Sequence, residues 1–170
     1  RCITRDLPRL SGAYNNNVQI VQGPGYVLLI QEMVHDARVV SLDGRPHLPQ
    51  SIRQWMGDAR GRWEGNTLVV DTTNFTAKTN FRGSRENLHL VERFTLVDAN
   101  TLRYEFTVDD PTTWTRPWTA EFPMARNPEP MYEYACHEGN HGMEGILAGA
   151  RNLEKAAAEG ARKGSPLPVR

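Results

Sequence analysis

The chain has 170 residues, enough for one domain with a real hydrophobic core. Its 20 Lys and Arg balance its 20 Asp and Glu without any basic run, which argues against nucleic acid or an anionic membrane surface as a partner. No apolar stretch reaches the ~20 residues of a membrane helix, so no membrane insertion of that kind is expected.

The elements read as strands from the N-terminus onward. Val18 to Val21 and Tyr26 to Met33 flank Gly23-Pro24-Gly25, a strong turn signal. Val34 to Leu42 leads into Asp43-Gly44, the best short hairpin signal in the chain. Arg45 to Gly61 is a long loop with two prolines and Trp55. Arg62 and Trp63 approach Glu64-Gly65-Asn66, and Thr67 to Phe75 leaves it. A second long loop, Thr76 to Asn87, precedes Leu88 to Val97 and Thr101 to Val108, which flank Asp98-Ala99-Asn100. Trp114 to Met124 and Met131 to Cys136 complete the set, separated by Asn127-Pro128-Glu129-Pro130. Short strands at this spacing predict an all-β fold, a barrel or sandwich, of which an antiparallel barrel of about eight strands over residues 1–145 is preferred. Residues 146–170 read as a short C-terminal helix and tail, alanine-rich from Glu154 and ended by Gly164 and Pro166. Long loops in so compact a domain are commonly lids over a site.

Alternation then selects the inward residues. Leu88, Leu90, Glu92 and Phe94 form one apolar face, and Leu28, Ile30, Glu32 and Val34 another, each carrying a glutamate. A buried carboxylate must be paired, hydrogen-bonded or protonated, and Arg38 extends the Glu32 face as its expected partner. A structural ion pair at a barrel end is the plainer alternative. His35 and His89 each stand three positions from a glutamate, on the opposite strand face, and His47 lies in a loop. Histidine beside a carboxylate is the means of proton transfer near neutral pH.

The stretch YACHEGNHGME contains His137-Glu138-Gly139-Asn140-His141, the letters of the zinc-protease motif H-E-x-x-H. That chemistry needs both histidines on one helical face. Gly139 and Gly142 disfavour a helix, and Tyr132 to Cys136 reads as a strand running into the motif. A strand end and glycine-rich turn is therefore preferred, with no metal assigned. The alternative is a metal at His137 and His141 completed by another strand.

Three segments, GRWEGNTLVVDTTNF, DDPTTWTRPWT and YEYACHEGN, resemble an uncharacterised family of signal-peptide-bearing bacterial proteins. The resemblance runs from Cys2 to about Arg151, although family members carry an aromatic residue after HEGN, where this chain has His141. It implies export to the periplasm or beyond and a β-barrel similar to lipocalins. In an exported protein Cys2 and Cys136 are expected to pair as a disulfide, which would remove Cys136 as a ligand or nucleophile.

Three functions follow as expectations. The first is an exported hydrolase, lyase or isomerase using acid–base chemistry in the barrel, with Glu32, His35, His89, Glu92 and His137 as catalytic candidates. Arg38, Trp55, Trp114, Trp118 and Glu133 would bind the small-molecule substrate. No organic cofactor is expected, since GPGYV lacks the glycine spacing of a nucleotide cradle. The second is a lipocalin-like binder of one small ligand. The third is a structural subunit of a cell-surface complex.

Overall fold

In the computed structural model, which describes residues 3–4, 7–12, 14–138 and 141–162, the period-two runs do form strands. They are β1 (Val18–Gly23), β2 (Tyr26–Gln31), β3 (Ala37–Ser41), β4 (Asp58–Glu64), β5 (Thr67–Thr73), β6 (His89–Asp98), β7 (Thr101–Asp109) and β8 (Trp118–Ala125). All lie in one sheet in sequence order, curled into a half-barrel, and among the described residues a single α-helix, α1 (Gly142–Arg162), follows. Two units divide the chain, Arg1–Tyr134 and Ala135–Arg170.

The sheet is mixed and open, which corrects the expected all-antiparallel barrel. Seven strand pairs form the ladder, and six are antiparallel, but β3 and β4 run parallel through the single register pair Ser41↔Arg60. Asp43-Gly44 does not close a hairpin. Gly44 turns the chain at φ 71 into a long crossover, residues 42–57, which carries it back so that β4 runs in the same direction as β3. Among the described residues no backbone ladder joins β1 to β8. Their flanks meet through side chains, Asn127 Nδ2 donating to Asn17 Oδ1 at 3.1 Å.

Two further expectations are corrected. The β2–β3 connection is a 3-10 turn at Met33–His35 with Val34 and His35 in the left-handed region, so alternation does not run through it. Val27, Leu29 and Gln31 are therefore the inward residues of β2, and Leu28 and Ile30 face outward. Met131 to Cys136 forms no strand. Pro128 and Pro130 just before it lack the N–H groups a ladder needs. β8 remains an edge strand, where its own Pro123 is tolerated.

The core fills the inside of the curl. Val40, Leu68, Val70, Leu90, Phe106 and Val108 are fully or almost fully buried there. Trp118 packs onto Phe106 edge-on at 5.6 Å and onto Trp114 at 5.5 Å, so two of the three indoles named from sequence come together. Taken by itself, α1 starts at Gly142, directly after the histidine motif, and passes through Gly160. Almost all its described residues are exposed.

Candidate functional site

The polar groups nearest to chemistry lie on the outer face of the sheet. On β5, Leu68, Val70 and Thr72 turn inward, which puts Asp71 outside. On β6, Leu90 and Glu92 are inward and His89 outside; on β4, Ala59 is inward, with Asp58 and Arg60 outside. The crossover lays His47 over this patch. His47 Nδ1 lies 3.0 Å from Asp58 Oδ2, and its Nε2 lies 3.0 Å from Asp71 Oδ1. His89 Nε2 lies 3.1 Å from the same Asp71 oxygen.

Two imidazoles thus share one carboxylate oxygen. Asp58 is itself buried and held by the Leu48 N–H at 2.9 Å and by Arg60 at 3.2 Å. Burial works against its charge, but those hydrogen bonds, His47 and the Arg60 cation outweigh it and lower its pKa. The bond to Asp71 raises the His89 pKa despite partial burial, and the Asp71 and Asp109 charges add to this. The same bond holds the Asp71 carboxyl below its ordinary range. Because a carboxylate only accepts, His89 commits Nε2 as donor, leaving proton exchange to Nδ1. The His89 side chain is 42% exposed, so that exchange can occur with a molecule in solvent.

The glutamate singled out on β6 has a different setting. Glu92 is inward and fully buried, with Arg38 Nη1 donating to Oε2 at 2.5 Å and Tyr104 Oη donating to Oε1 at 2.7 Å. The Arg9 N–H donates in turn to Tyr104 Oη at 3.1 Å. Burial and the neighbouring Glu92 charge push the Tyr104 hydroxyl far above its usual range. Beside this network is a cavity of about 10 Å³, lined by Arg9, Gln31, Arg38, Glu92 and apolar neighbours. That is the scale of one water molecule. Arg38 Nε is buried without a hydrogen-bond partner. The expected Arg38–Glu32 pair does not form: the 3-10 turn breaks the shared face, and Glu32 Oε2 instead accepts from Asn17 N and Nδ2 at 3.0 and 2.9 Å.

The remaining candidates are dispersed. His35 is exposed at the end of the 3-10 turn. Trp55 lies in the crossover, its carbonyl accepting from Thr79 Oγ1 at 2.8 Å. Glu133 and His137 are exposed on irregular chain, His141 is exposed in the turn before α1, and the intervening Gly139 and Asn140 lie outside the described residues. Cys2 also lies outside them; Cys136 is not a free thiol. Among the described residues no group of three or more His, Cys, Asp or Glu is arranged to hold a metal ion.

Sequence reasoning missed Asp58, Asp71 and the role of His47. An aspartate inside TLVVDTT was a usable signal, because Asp is disfavoured within strands and needs a reason to be there. For His47 the signal was its place in the long loop Arg45 to Gly61, read as a candidate lid; that this loop is a parallel crossover laid against β4 and β5 was not legible. No family model, curated protein or solved structure matches the chain.

Proposed function

We propose that the protein is an exported enzyme, periplasmic or secreted, that performs acid–base chemistry on a small-molecule substrate at His89. The observation carrying this reading is the Asp71 oxygen shared by His47 and His89, with the His89 ring partly open to solvent. His89 transfers the proton through Nδ1, Asp71 fixes its tautomer, and His47 and Asp58 fix Asp71. Hydrolysis, elimination and isomerisation all require such a group and no organic cofactor. The Asn17–Asn127 contact supports a lipocalin-like curl whose first and last strands meet by side chains. Pairing of Cys2 with Cys136 belongs to the same reading, as a clasp suited to an oxidising compartment.

The test is turnover of chromogenic ester, amide and glycoside substrates by the wild type, His89→Gln and Asp71→Asn. Loss of about 10²–10⁴-fold in kcat with KM little changed is expected for His89→Gln. Full turnover in that variant, with its fold intact, overturns the assignment.

A second reading, a binder of one small polar ligand, rests on the unpartnered Arg38 Nε beside the interior cavity. Isothermal titration with formate and similarly small anions, the size so narrow a cavity could admit, of wild type, His89→Gln and the charge-keeping Arg38→Lys separates it from the first. Affinity lost with Arg38 and kept in His89→Gln supports the binder.

A further inference from the structure

We propose that His47 is a pH-dependent clamp that fastens the crossover, residues 42–57, to the outer face of the sheet. The inference does not depend on any turnover at His89. His47 faces a carboxylate with each ring nitrogen, Asp58 Oδ2 from β4 and Asp71 Oδ1 from β5, both at 3.0 Å. Carboxylates only accept, so the ring that satisfies both contacts carries N–H on both nitrogens and a positive charge. Loss of either proton turns a lone pair onto a carboxylate oxygen at hydrogen-bond distance, and that contact becomes repulsive.

The other charged groups around the ring reinforce its placement. Arg60 on β4 grips both Asp58 oxygens, including the Oδ2 that meets His47, and reaches Asp43 at the start of the crossover. His89 on β6 shares the Asp71 oxygen, and Asp109 on β7 stands in register with His89. The next residue completes the fastening, because the Leu48 N–H donates to the same Asp58 oxygen that meets His47. Further along, Asn74 Nδ2 holds the Leu48 and Pro49 carbonyls at 2.8 and 3.2 Å, independently of any histidine. Release on raising the pH is therefore confined to the segment around His47 and Leu48, with the rest of the crossover still tied down.

The direction follows from the charge. The clamp holds while both His47 ring nitrogens carry a proton and weakens once either proton is lost. It weakens again in acid, once Asp58 and Asp71 are protonated. Amide exchange of Leu48, followed by NMR and corrected for intrinsic rates, reads the clamp directly. Between about pH 6 and about pH 9 its protection factor is expected to fall roughly ten-fold, the equivalent of one charge-assisted hydrogen bond. In His47→Gln the protection is expected to be low and flat over that interval, because glutamine keeps a donor but does not titrate. In His89→Gln the wild-type pH dependence is expected to persist. Protection that is flat with pH in the wild type, or a pH dependence that survives in His47→Gln, overturns the proposal.

Discussion

Arg38 and Glu92 meet at 2.5 Å although β3 and β6, which carry them, are separated in the sheet by β4 and β5. The pair therefore reaches across the inside of the curl, tying two walls of the core through a contact that no backbone ladder makes. Both side chains are almost completely buried. An ion pair in that position contributes modestly as a pair, but loss of one member strands the other in an apolar interior.

Glu92→Leu or Arg38→Met alone should accordingly destabilise the fold by about 3–5 kcal/mol. The double variant should cost clearly less than the sum, since no uncompensated charge remains. Urea unfolding of the two single variants and the double variant measures this. Single-variant losses below about 1 kcal/mol would show that water reaches the pair.

Tyr104→Phe removes one hydroxyl that serves two partners, Glu92 as donor and the Arg9 amide as acceptor. The expected loss is about 1–3 kcal/mol, because both groups lose a bond at a buried site. Faster exchange of the Arg9 amide should accompany it. An unchanged unfolding midpoint would contradict this accounting.

His89 should titrate above an ordinary histidine, and Asp71→Asn should bring it back down. Its raised pKa in the folded state means that its stabilising contribution is present below the unfolded value near 6.5 and is lost as pH rises through the folded one. Asp71 works in the opposite sense, its lowered pKa giving stability that is lost as pH falls through the folded value. The pair is therefore strongest between the two, and at this exposure is worth about 0.2–1 kcal/mol. Proton NMR of the ring resonances against pH is the check; a His89 midpoint at or below that of an unfolded control would refute the coupling.

Gly57→Ala and Gly25→Ala form a matched pair. Both glycines have left-handed backbone, at φ 69 and φ 77, but a Cβ on Gly57 would come within 2.5 Å of the Thr73 carbonyl, whereas Gly25 has open space. Gly25→Ala should cost about 1–2 kcal/mol from backbone conformation alone. Gly57→Ala should cost about 1–3 kcal/mol more, because β4 must shift from β5 to make room. Thermal unfolding of both variants separates strain from collision.

The sequence showed most of the strands because their alternation is local: Leu90, Glu92 and Phe94 share an inward face as their spacing requires. It placed Glu92 inside but misassigned its partner. The Glu32–Arg38 expectation extended one period through Met33–His35, where a left-handed Val34, a rare conformation for a β-branched residue, resets the faces. Asp43-Gly44 promised a hairpin, and the turn is there, but the strand that follows begins at Asp58 and pairs in parallel, through Arg60. The outer-face cluster depends on that crossover: Asp71 and His89 sit at legible outward positions, whereas Asp58 fell in a stretch that reads as loop, and the convergence of all three with His47 is a product of topology.

That parallel step also bears on how the chain folds. On one side of it lies a meander of β1, β2 and β3, and on the other a meander of β4 through β8, each made wholly of pairings between consecutive strands. Within each meander most closures are short and fast, residues 74–88 between β5 and β6 being the exception, but joining the two meanders requires the crossover to be wrapped first, for the sake of one bridge between Ser41 and Arg60. The two meanders are thus natural cooperative units, and their joint is where sub-global opening should start. The Arg38–Glu92 pair crosses that joint directly on the inside, while on the outside the His47 contacts fasten the crossover that spans it to β4 and β5, at the line where the backbone ladder is thinnest.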